Sequence, residues 1–245
     1  MQLCVIALYL KYTPNMDFTK FKILSFDCYG TLVDWKKSII EIVQPVIRDY
    51  HIKLPDEELF RLFLEADRKS IQTDYVPYKD VLTNVMIDIG NQLNLNLYPS
   101  DKTCLVDRFG DWSPFPDSAD ALLELMKFYK LAIISNVDDE MFALTKRCIG
   151  IQFEHIITAK QVGSYKPSLN NFNMALEKFA VQTDEILHIA QSIHHDIIPT
   201  NKLGWSNVWV NRYQEPERTN PDEFPDLEVP DLKSLVKIIK MELSG

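Results

Sequence analysis

The chain has 245 residues, of which 26 are lysine or arginine and 35 are aspartate or glutamate, so its formal net charge is −9. This acidic balance disfavours nucleic-acid binding, which needs clustered positive charge. Hydrophobic residues form 46% of the chain, enough to bury the core of one large domain. The seven glycines stand singly, so the dinucleotide-binding pattern GxGxxG and the phosphate-loop pattern GxxxxGK(S/T) are both absent. These two kinds of nucleotide site are therefore excluded.

The cysteine and histidine patterns argue against a thiolate or imidazole metal site. The four cysteines form no CxxC pair, and the five histidines form no HExxH motif. In a chain of this size we expect free thiols in a reducing compartment, which favours a cytoplasmic protein.

The N-terminal segment contains an apolar stretch, Leu3–Leu10, that is far shorter than the ~20 residues of a membrane-spanning helix. It shows neither the basic start nor the small-residue cleavage site of a secretory signal. We interpret residues 1–15 as an extension before a domain that begins at Met16, and we expect no membrane association.

Five short apolar runs rich in β-branched residues predict strands, and most are followed by a segment with helical periodicity. Helices are predicted at Asp117–Tyr129, Ser168–Phe179 and Asp231–Met241, and a surface loop at Tyr213–Pro230. This alternation indicates an α/β fold with a doubly wound parallel sheet, covered by helices on both faces. The predicted strands are Ile23–Phe26, Leu131–Ile134, His155–Thr158, Ile186–Ala190 and Asn207–Val210.

Residues 36–112, between the first two predicted strands, show helical periodicity and no strand pattern. A block of this length is too long for a crossover loop. We therefore predict an inserted all-helical cap at residues 36–112 and an α/β core formed by residues 16–35 and 113–245. The predicted helices of the cap are Ile39–Tyr50, Asp56–Ile71, Tyr78–Leu95 and Ser100–Phe109.

Polar residues follow four of the predicted strands. Asp27 follows the first strand, Ser135 and Asn136 the second, Lys166 the third and Asp196 the fourth. Because chemistry in open α/β sheets gathers at the carboxyl ends of the strands, we expect these residues to meet at one edge beneath the cap.

These residue types suit covalent catalysis. An aspartate can attack an electrophilic centre, and a nearby lysine lowers the pKa of that carboxyl group. The hydroxyl groups of Thr31 and Ser135 and the amide of Asn136 can orient the nucleophile or hold substrate oxygens. The second carboxylate, Asp196, can either bind Mg²⁺ or position a hydrolytic water.

The order and spacing of these residues resemble the four motifs of the haloacid dehalogenase superfamily. The resemblance extends over essentially everything from about Met16 onward, and it implies that Asp27 is the nucleophile. The matching segments are residues 26–32, Ser135-Asn136, Lys166-Pro167 and His194-His195-Asp196.

The residue two positions after the nucleophile distinguishes branches of this superfamily. Phosphatases have an aspartate there that protonates the leaving alkoxide, whereas this chain has Tyr29, and a tyrosine has a pKa near 10. The segment is similar to the L-2-haloacid dehalogenase branch, whose halide leaving group needs no proton. The resemblance implies that Asp27 displaces halide from C2 of a short 2-haloalkanoic acid with inversion. Water near Asp196 then hydrolyses the aspartyl ester.

The resemblance also implies substrate contacts. Lys166 balances the charge of the nucleophile, Ser135 and Asn136 hold the substrate carboxylate, and Tyr29 packs beside the substrate. The same branch often forms dimers, so a homodimer is one expectation.

The cap should supply an arginine that attracts the halide. We predict Arg61, with Arg68 on the same helix as the alternative. The competing interpretation of either arginine is a solvated helix face with ordinary ion pairs.

The fourth motif supplies one acidic residue, where Mg²⁺-dependent members commonly have two. We therefore expect catalysis without a metal or another cofactor. Some positions depart from the dehalogenase pattern. Phe172 replaces a tyrosine, and Gln191 and Ile193 replace a polar Ser-x-Asn, which removes groups that steer water and substrate. His194 or His195 could supply a polar contact instead.

Two alternatives remain open at this point. One is a Mg²⁺-dependent phosphatase of small phosphorylated metabolites that lacks the usual acid. The other is a non-catalytic scaffold with the same fold.

Overall fold

A computed structural model describes residues 16–71, 75–216 and 218–244. The predicted extension, residues 1–15, lies outside them. The described chain contains one six-stranded sheet with the order β3-β2-β1-β4-β5-β6, and every neighbouring pair of strands is parallel. This confirms the predicted α/β fold with a doubly wound parallel sheet. The strands are β1 (Ile23–Phe26), β2 (Lys130–Ser135), β3 (His155–Thr158), β4 (Ile186–Ala190), β5 (Ser206–Val210) and β6 (Leu227–Val229).

Both faces of the sheet are buried, which explains why its strands read as nearly continuous apolar runs. On β1, Leu24 and Phe26 pack into one core cluster, whereas Ile23 packs into a second cluster with Phe172 and Trp205. The second face also carries Ser25 and His188, which are paired in the β1–β4 register and fully buried. The α-helices that follow residue 112 are α5 (Ser118–Leu125), α6 (Asp139–Ile149), α7 (Ala159–Val162), α8 (Leu169–Phe179), α9 (Ile198–Leu203) and α10 (Leu232–Glu242).

Four longer helices lie between β1 and β2, and the described residues of the range 36–112 contain no strand. The first begins at Trp35, earlier than predicted, because the Asp34 carboxylate caps it by accepting a hydrogen bond from the Lys37 N–H at 3.2 Å. These helices are α1 (Trp35–Asp49), α2 (Asp56–Ile71), α3 (Tyr78–Gln92) and α4 (Pro99–Asp107). No helix in the described parts of the chain is long and apolar enough to cross a bilayer.

The predicted surface loop at Tyr213–Pro230 was wrong at its end. Leu227 and Val229 are buried and pair with Val208 and Val210 of β5, which makes β6 the edge strand of the sheet. The strand is only three residues long, so its two buried side chains gave too short an alternation to stand out among the surrounding proline and acidic residues.

The strand order reverses at β1, which has β2 on one side and β4 on the other. Ligands of open α/β sheets bind in the crevice at such a switch point. The chain leaves β1 through a tight turn at Gly30, whose φ of 97° suits glycine, and a Cβ there would lie 3.0 Å from the Gln191 side-chain oxygen. The turn places Asp27 and Thr31 at this crevice.

Candidate active site

The site is organised around one buried ammonium group between two carboxylates. Lys166 is 1% exposed, and its Nζ donates to Asp27 Oδ1 at 2.8 Å, Asp196 Oδ1 at 2.6 Å and the Ile134 carbonyl at 3.0 Å. An ammonium group has three donor hydrogens, so all of them are used. The structure therefore brings together the three charged residues that the sequence assigned to different strands.

The nucleophile candidate is held from both sides. Asp27 Oδ2 accepts a hydrogen bond from the Thr31 hydroxyl at 2.7 Å, and the Thr31 oxygen accepts one from the Gln191 N–H at 2.9 Å. Burial raises the pKa of Asp27 above its usual value, although the Lys166 charge opposes this. Burial would lower the pKa of Lys166, but Asp196 and Asp27 together raise it, so the lysine stays charged.

A buried histidine that the sequence analysis overlooked completes the network. His188 Nε2 lies 2.9 Å from Asp196 Oδ1, and its Nδ1 lies 2.9 Å from the Ser25 hydroxyl. Burial would raise the pKa of Asp196, but Lys166 and His188 lower it below its usual value. Its other oxygen, Oδ2, is buried without a hydrogen-bond partner in the described residues. Asp196 therefore keeps a charged oxygen available at the edge of the sheet.

Phe172, which stands where the dehalogenase pattern has a tyrosine, packs beside this network. Its ring packs edge-on against His188, with ring centroids 5.5 Å apart, so it contributes shape instead of the polar contact expected of a tyrosine. The hydrogen bond to Asp196 comes from His188 instead. The sequence marks Phe172 only as a departure from the dehalogenase pattern. His188 did not stand out, because it lies inside an apolar strand and a buried histidine is an ordinary core residue.

The two residues of the second predicted motif, Ser135 and Asn136, lie in different environments. Asn136 uses its side-chain oxygen to accept the Lys166 N–H at 2.7 Å, and its side-chain nitrogen donates to the Lys166 carbonyl at 3.1 Å. This amide therefore fixes the backbone of the catalytic lysine candidate. Ser135 is buried, and its hydroxyl has no hydrogen-bond partner among the described residues.

A cavity of about 690 Å³ opens over Asp27, Lys166 and Asp196. Gln191, Ser192, His194, His195, Tyr213 and Glu215 contribute to its wall from the α/β part. Burial lowers the pKa of His195 to about 4, so this histidine is neutral at physiological pH. The helices between β1 and β2 supply Trp35, Phe60, Leu64, Asp67, Arg68, Ile71 and Tyr78.

Tyr29 also lines this cavity. Its hydroxyl lies 2.8 Å from the Thr145 hydroxyl, and its ring packs against Phe109 and Trp112. Burial raises the pKa of Tyr29 well above 10. The residue two positions after Asp27 is therefore a poor proton donor.

The structure does not bring Arg61 to the cavity. Arg61 is exposed, and its guanidinium group pairs with Glu58 and Glu65 at 2.8 and 2.9 Å, which is the solvated helix face considered as its competing interpretation. Arg68 lies two turns further along α2 and lines the cavity instead. Within the described residues Arg68 has no ion pair. The predicted helix is correct, but the predicted residue lies two turns too early on it, on nearly the same side as Arg68.

The residues present make no evident magnesium site. Mg²⁺ prefers an octahedron of hard oxygen ligands. The described residues contain no group of three or more acidic, histidine or cysteine side chains that could hold a metal ion. The Lys166 ammonium lies against both site carboxylates, where a cation that bridges them would have to bind. The donor set therefore does not fit Mg²⁺.

Comparison with known proteins agrees with this architecture. The family model of haloacid dehalogenase-like hydrolases matches residues 24–210. Haloacetate dehalogenase H-2 of Moraxella sp. (strain B) is 25% identical over 226 residues, which cover 90% of this chain and 98% of that protein. A glyceraldehyde 3-phosphate phosphatase of Methanopyrus kandleri is 26% identical over 231 residues, which cover 89% of this chain and 97% of that protein.

The fold is also found among solved structures. The L-2-haloacid dehalogenase from Xanthobacter autotrophicus, solved with chloropropionic acid covalently bound, superposes with a TM-score of 0.74 at 21% identity. The superposition covers 90% of this chain and 98% of that one. The family match spans most of the sequence and contains the site residues from Asp27 to Asp196. This chain therefore belongs to the haloacid dehalogenase-like hydrolases.

Proposed function

We propose that the protein hydrolyses 2-haloalkanoic acids to 2-hydroxy acids and halide through an ester on Asp27. The observation that carries the proposal is the pairing of a fixed carboxylate nucleophile with Tyr29, whose pKa burial raises well above 10. A halide leaves with the bonding electron pair and needs no proton, so this chemistry tolerates the absence of an acid at that position.

In the first step, a carboxylate oxygen of Asp27 attacks C2 from the side opposite the halogen. The new carbon–oxygen bond forms as the carbon–halogen bond breaks, and the configuration at C2 inverts. Lys166 and Thr31, both hydrogen-bonded to Asp27, hold the carboxylate in one orientation for this displacement.

In the second step, water attacks the carbonyl carbon of the aspartyl ester. The ester bond to Asp27 breaks, the 2-hydroxy acid leaves, and the regenerated carboxylate contains one oxygen from water. Asp196 Oδ2, which has no hydrogen-bond partner among the described residues, is the group that we assign to orient this water and accept its first proton. It returns that proton to the departing C2 oxygen as the ester bond breaks, and the second water proton passes to solvent as the Asp27 carboxylate is regenerated. His188 and Lys166 hold the other oxygen of Asp196 in place.

The helical segment at residues 36–112 acts as the cap in this proposal. Its residue Arg68, a cavity-lining guanidinium group without an ion pair in the described residues, replaces Arg61 as the group that attracts the substrate anion or the departing halide. Ser135 and Asn136 remain proposed contacts of the substrate carboxylate. Tyr29 supplies part of an aromatic wall beside C2.

The test is halide release from haloacetates and from each enantiomer of 2-chloropropionate. We expect release from one enantiomer, with lactate of inverted configuration as the product. Asp27→Asn should abolish release, and Asp49→Asn, a substitution at an exposed aspartate, should not change it. No halide release from any of these acids by the folded protein would contradict the proposal.

The phosphatase relative makes phosphate-ester hydrolysis the second candidate. It predicts phosphate release from p-nitrophenyl phosphate, whose leaving group needs little protonation, and only with Mg²⁺ added. Absence of both activities would favour the scaffold alternative.

A further inference from the structure

Besides Asp27, Asp196 and Glu215, a further carboxyl group lines the cavity. Asp67 lies on α2, is 9% exposed and borders the same space as Lys166 and Asp196. Within the described residues its one hydrogen-bond contact is the Tyr78 hydroxyl at 3.4 Å, longer than the 2.5–3.0 Å typical of O–H···O bonds. It has no ion pair among those residues. Burying a carboxyl group with so little compensation is costly unless a ligand completes its hydrogen bonds.

The cavity is larger than a small haloacid requires. Its volume of about 690 Å³ falls in the range of 300–1,000 Å³ that is typical of sites for drug-sized ligands. A haloacetate or a 2-halopropionate held over Asp27 would leave space along the α2 wall, where Asp67 and Arg68 are consecutive. A longer or more polar substrate would use that wall.

The chemistry of Asp67 restricts what this group can be. Burial raises the pKa of Asp67 to about 7, opposed by Tyr78 and the Arg68 charge, so both protonation states exist near neutral pH. A hydroxyl group donates to the ionised carboxylate and accepts from the neutral acid. A substrate ammonium group would bind only the ionised form of Asp67, and a substrate carboxylate would bind only its neutral form.

We propose that Asp67 binds a hydroxyl group of the substrate, so that the preferred substrates are 2-haloalkanoic acids with a hydroxyl group beyond C2. This inference rests on the proposed dehalogenation and names its substrate class. A site with a buried polar group discriminates strongly against an analogue that leaves that group unpaired. Alkyl haloacids of equal size should therefore be the poorer substrates.

The experiment compares 2-chloro-3-hydroxypropanoate with 2-chlorobutanoate, in which a methyl group replaces the hydroxyl group. We expect kcat/KM to favour the hydroxyl compound by about 10-fold or more in the unmodified protein. Asp67→Leu should remove this preference, Asp67→Asn should keep part of it, and Asp80→Leu, at an exposed aspartate of α3, should leave it unchanged. Equal kcat/KM values in the unmodified protein, or a preference that survives in Asp67→Leu, would overturn the inference.

Binding of the two products separates this inference from the proposed reaction. Calorimetry with 2,3-dihydroxypropanoate and 2-hydroxybutanoate needs no turnover. If neither chloro acid releases halide but the dihydroxy acid binds about 10-fold more tightly, and only with Asp67 present, dehalogenation is wrong and the hydroxyl site stands. Equal binding of both acids by the unmodified protein overturns the hydroxyl site whatever the outcome for halide release, and this measurement does not depend on a variant that folds.

Discussion

Replacing Asp67 by asparagine should stabilise the folded protein, and increasingly so at higher pH. Burial raises the pKa of this carboxyl group from 3.8 to about 7, so the folded state binds a proton that the unfolded chain releases earlier. Stability therefore falls as the pH rises from the unfolded to the folded pKa. The shift is about three pKa units, and each unit corresponds to ~1.4 kcal/mol, which gives a cost of roughly 4 kcal/mol above pH 7.

Part of that cost already exists at pH 5, because the unfolded carboxyl group is largely ionised there. We therefore expect the difference in unfolding free energy between Asp67→Asn and the unmodified protein to grow by roughly 2–3 kcal/mol from pH 5 to pH 8. Urea denaturation at a series of pH values measures this difference directly. A difference that stays constant over this range would refute the assignment of Asp67 as a buried carboxyl group with a raised pKa.

The other predictions concern groups around the substrate. Arg68→Ala should raise KM for 2-chloropropionate by about 10-fold because a charge-assisted contact is lost, whereas Arg61→Ala should leave KM unchanged. Steady-state halide release measures both KM values. Equal effects of the two substitutions would contradict the choice of Arg68. His188→Phe should lower kcat by about 10- to 100-fold by releasing Asp196 from one hydrogen bond, with a shifted acid limb of the pH–rate profile. His188→Gln should recover part of the rate, and an unshifted profile in both variants would leave His188 a packing residue only. Because burial raises the pKa of Asp27, kcat/KM should fall on acidification at a higher pH than the ~4 of an ordinary aspartate; a loss only below that value would contradict the environment described for Asp27.

Much of the fold could be predicted because its strands are buried on both faces. The runs Ile23–Phe26, His155–Thr158 and Ile186–Ala190 were predicted with their observed bounds, since polar residues mark where each strand ends. β6, Leu227–Val229, was missed because three residues carry almost no periodicity. Its position is decided by pairing with β5, a long-range contact that no local pattern contains.

The candidate site could also be predicted only in part. Asp27, Lys166 and Asp196 could be predicted to converge because parallel strands end at one edge. Arg61 and Arg68 are seven positions apart on α2, which puts them on nearly the same side of the helix. Which of the two reaches the cavity depends on how the length of α2 lies over the sheet, and no local pattern contains that information. The contribution of His188 depends on a β1–β4 register that only the structure supplies.

The fate of the water oxygen tests the central claim most directly. With the protein in excess over the reactive enantiomer of 2-chloropropionate in ¹⁸O-labelled water, each molecule turns over at most once. Attack by Asp27 predicts that the first lactate formed contains no ¹⁸O, whereas the Asp27 carboxylate, examined in a proteolytic peptide, gains the label. Labelled lactate together with an unlabelled Asp27 would show that water attacks C2 directly, which contradicts the ester mechanism.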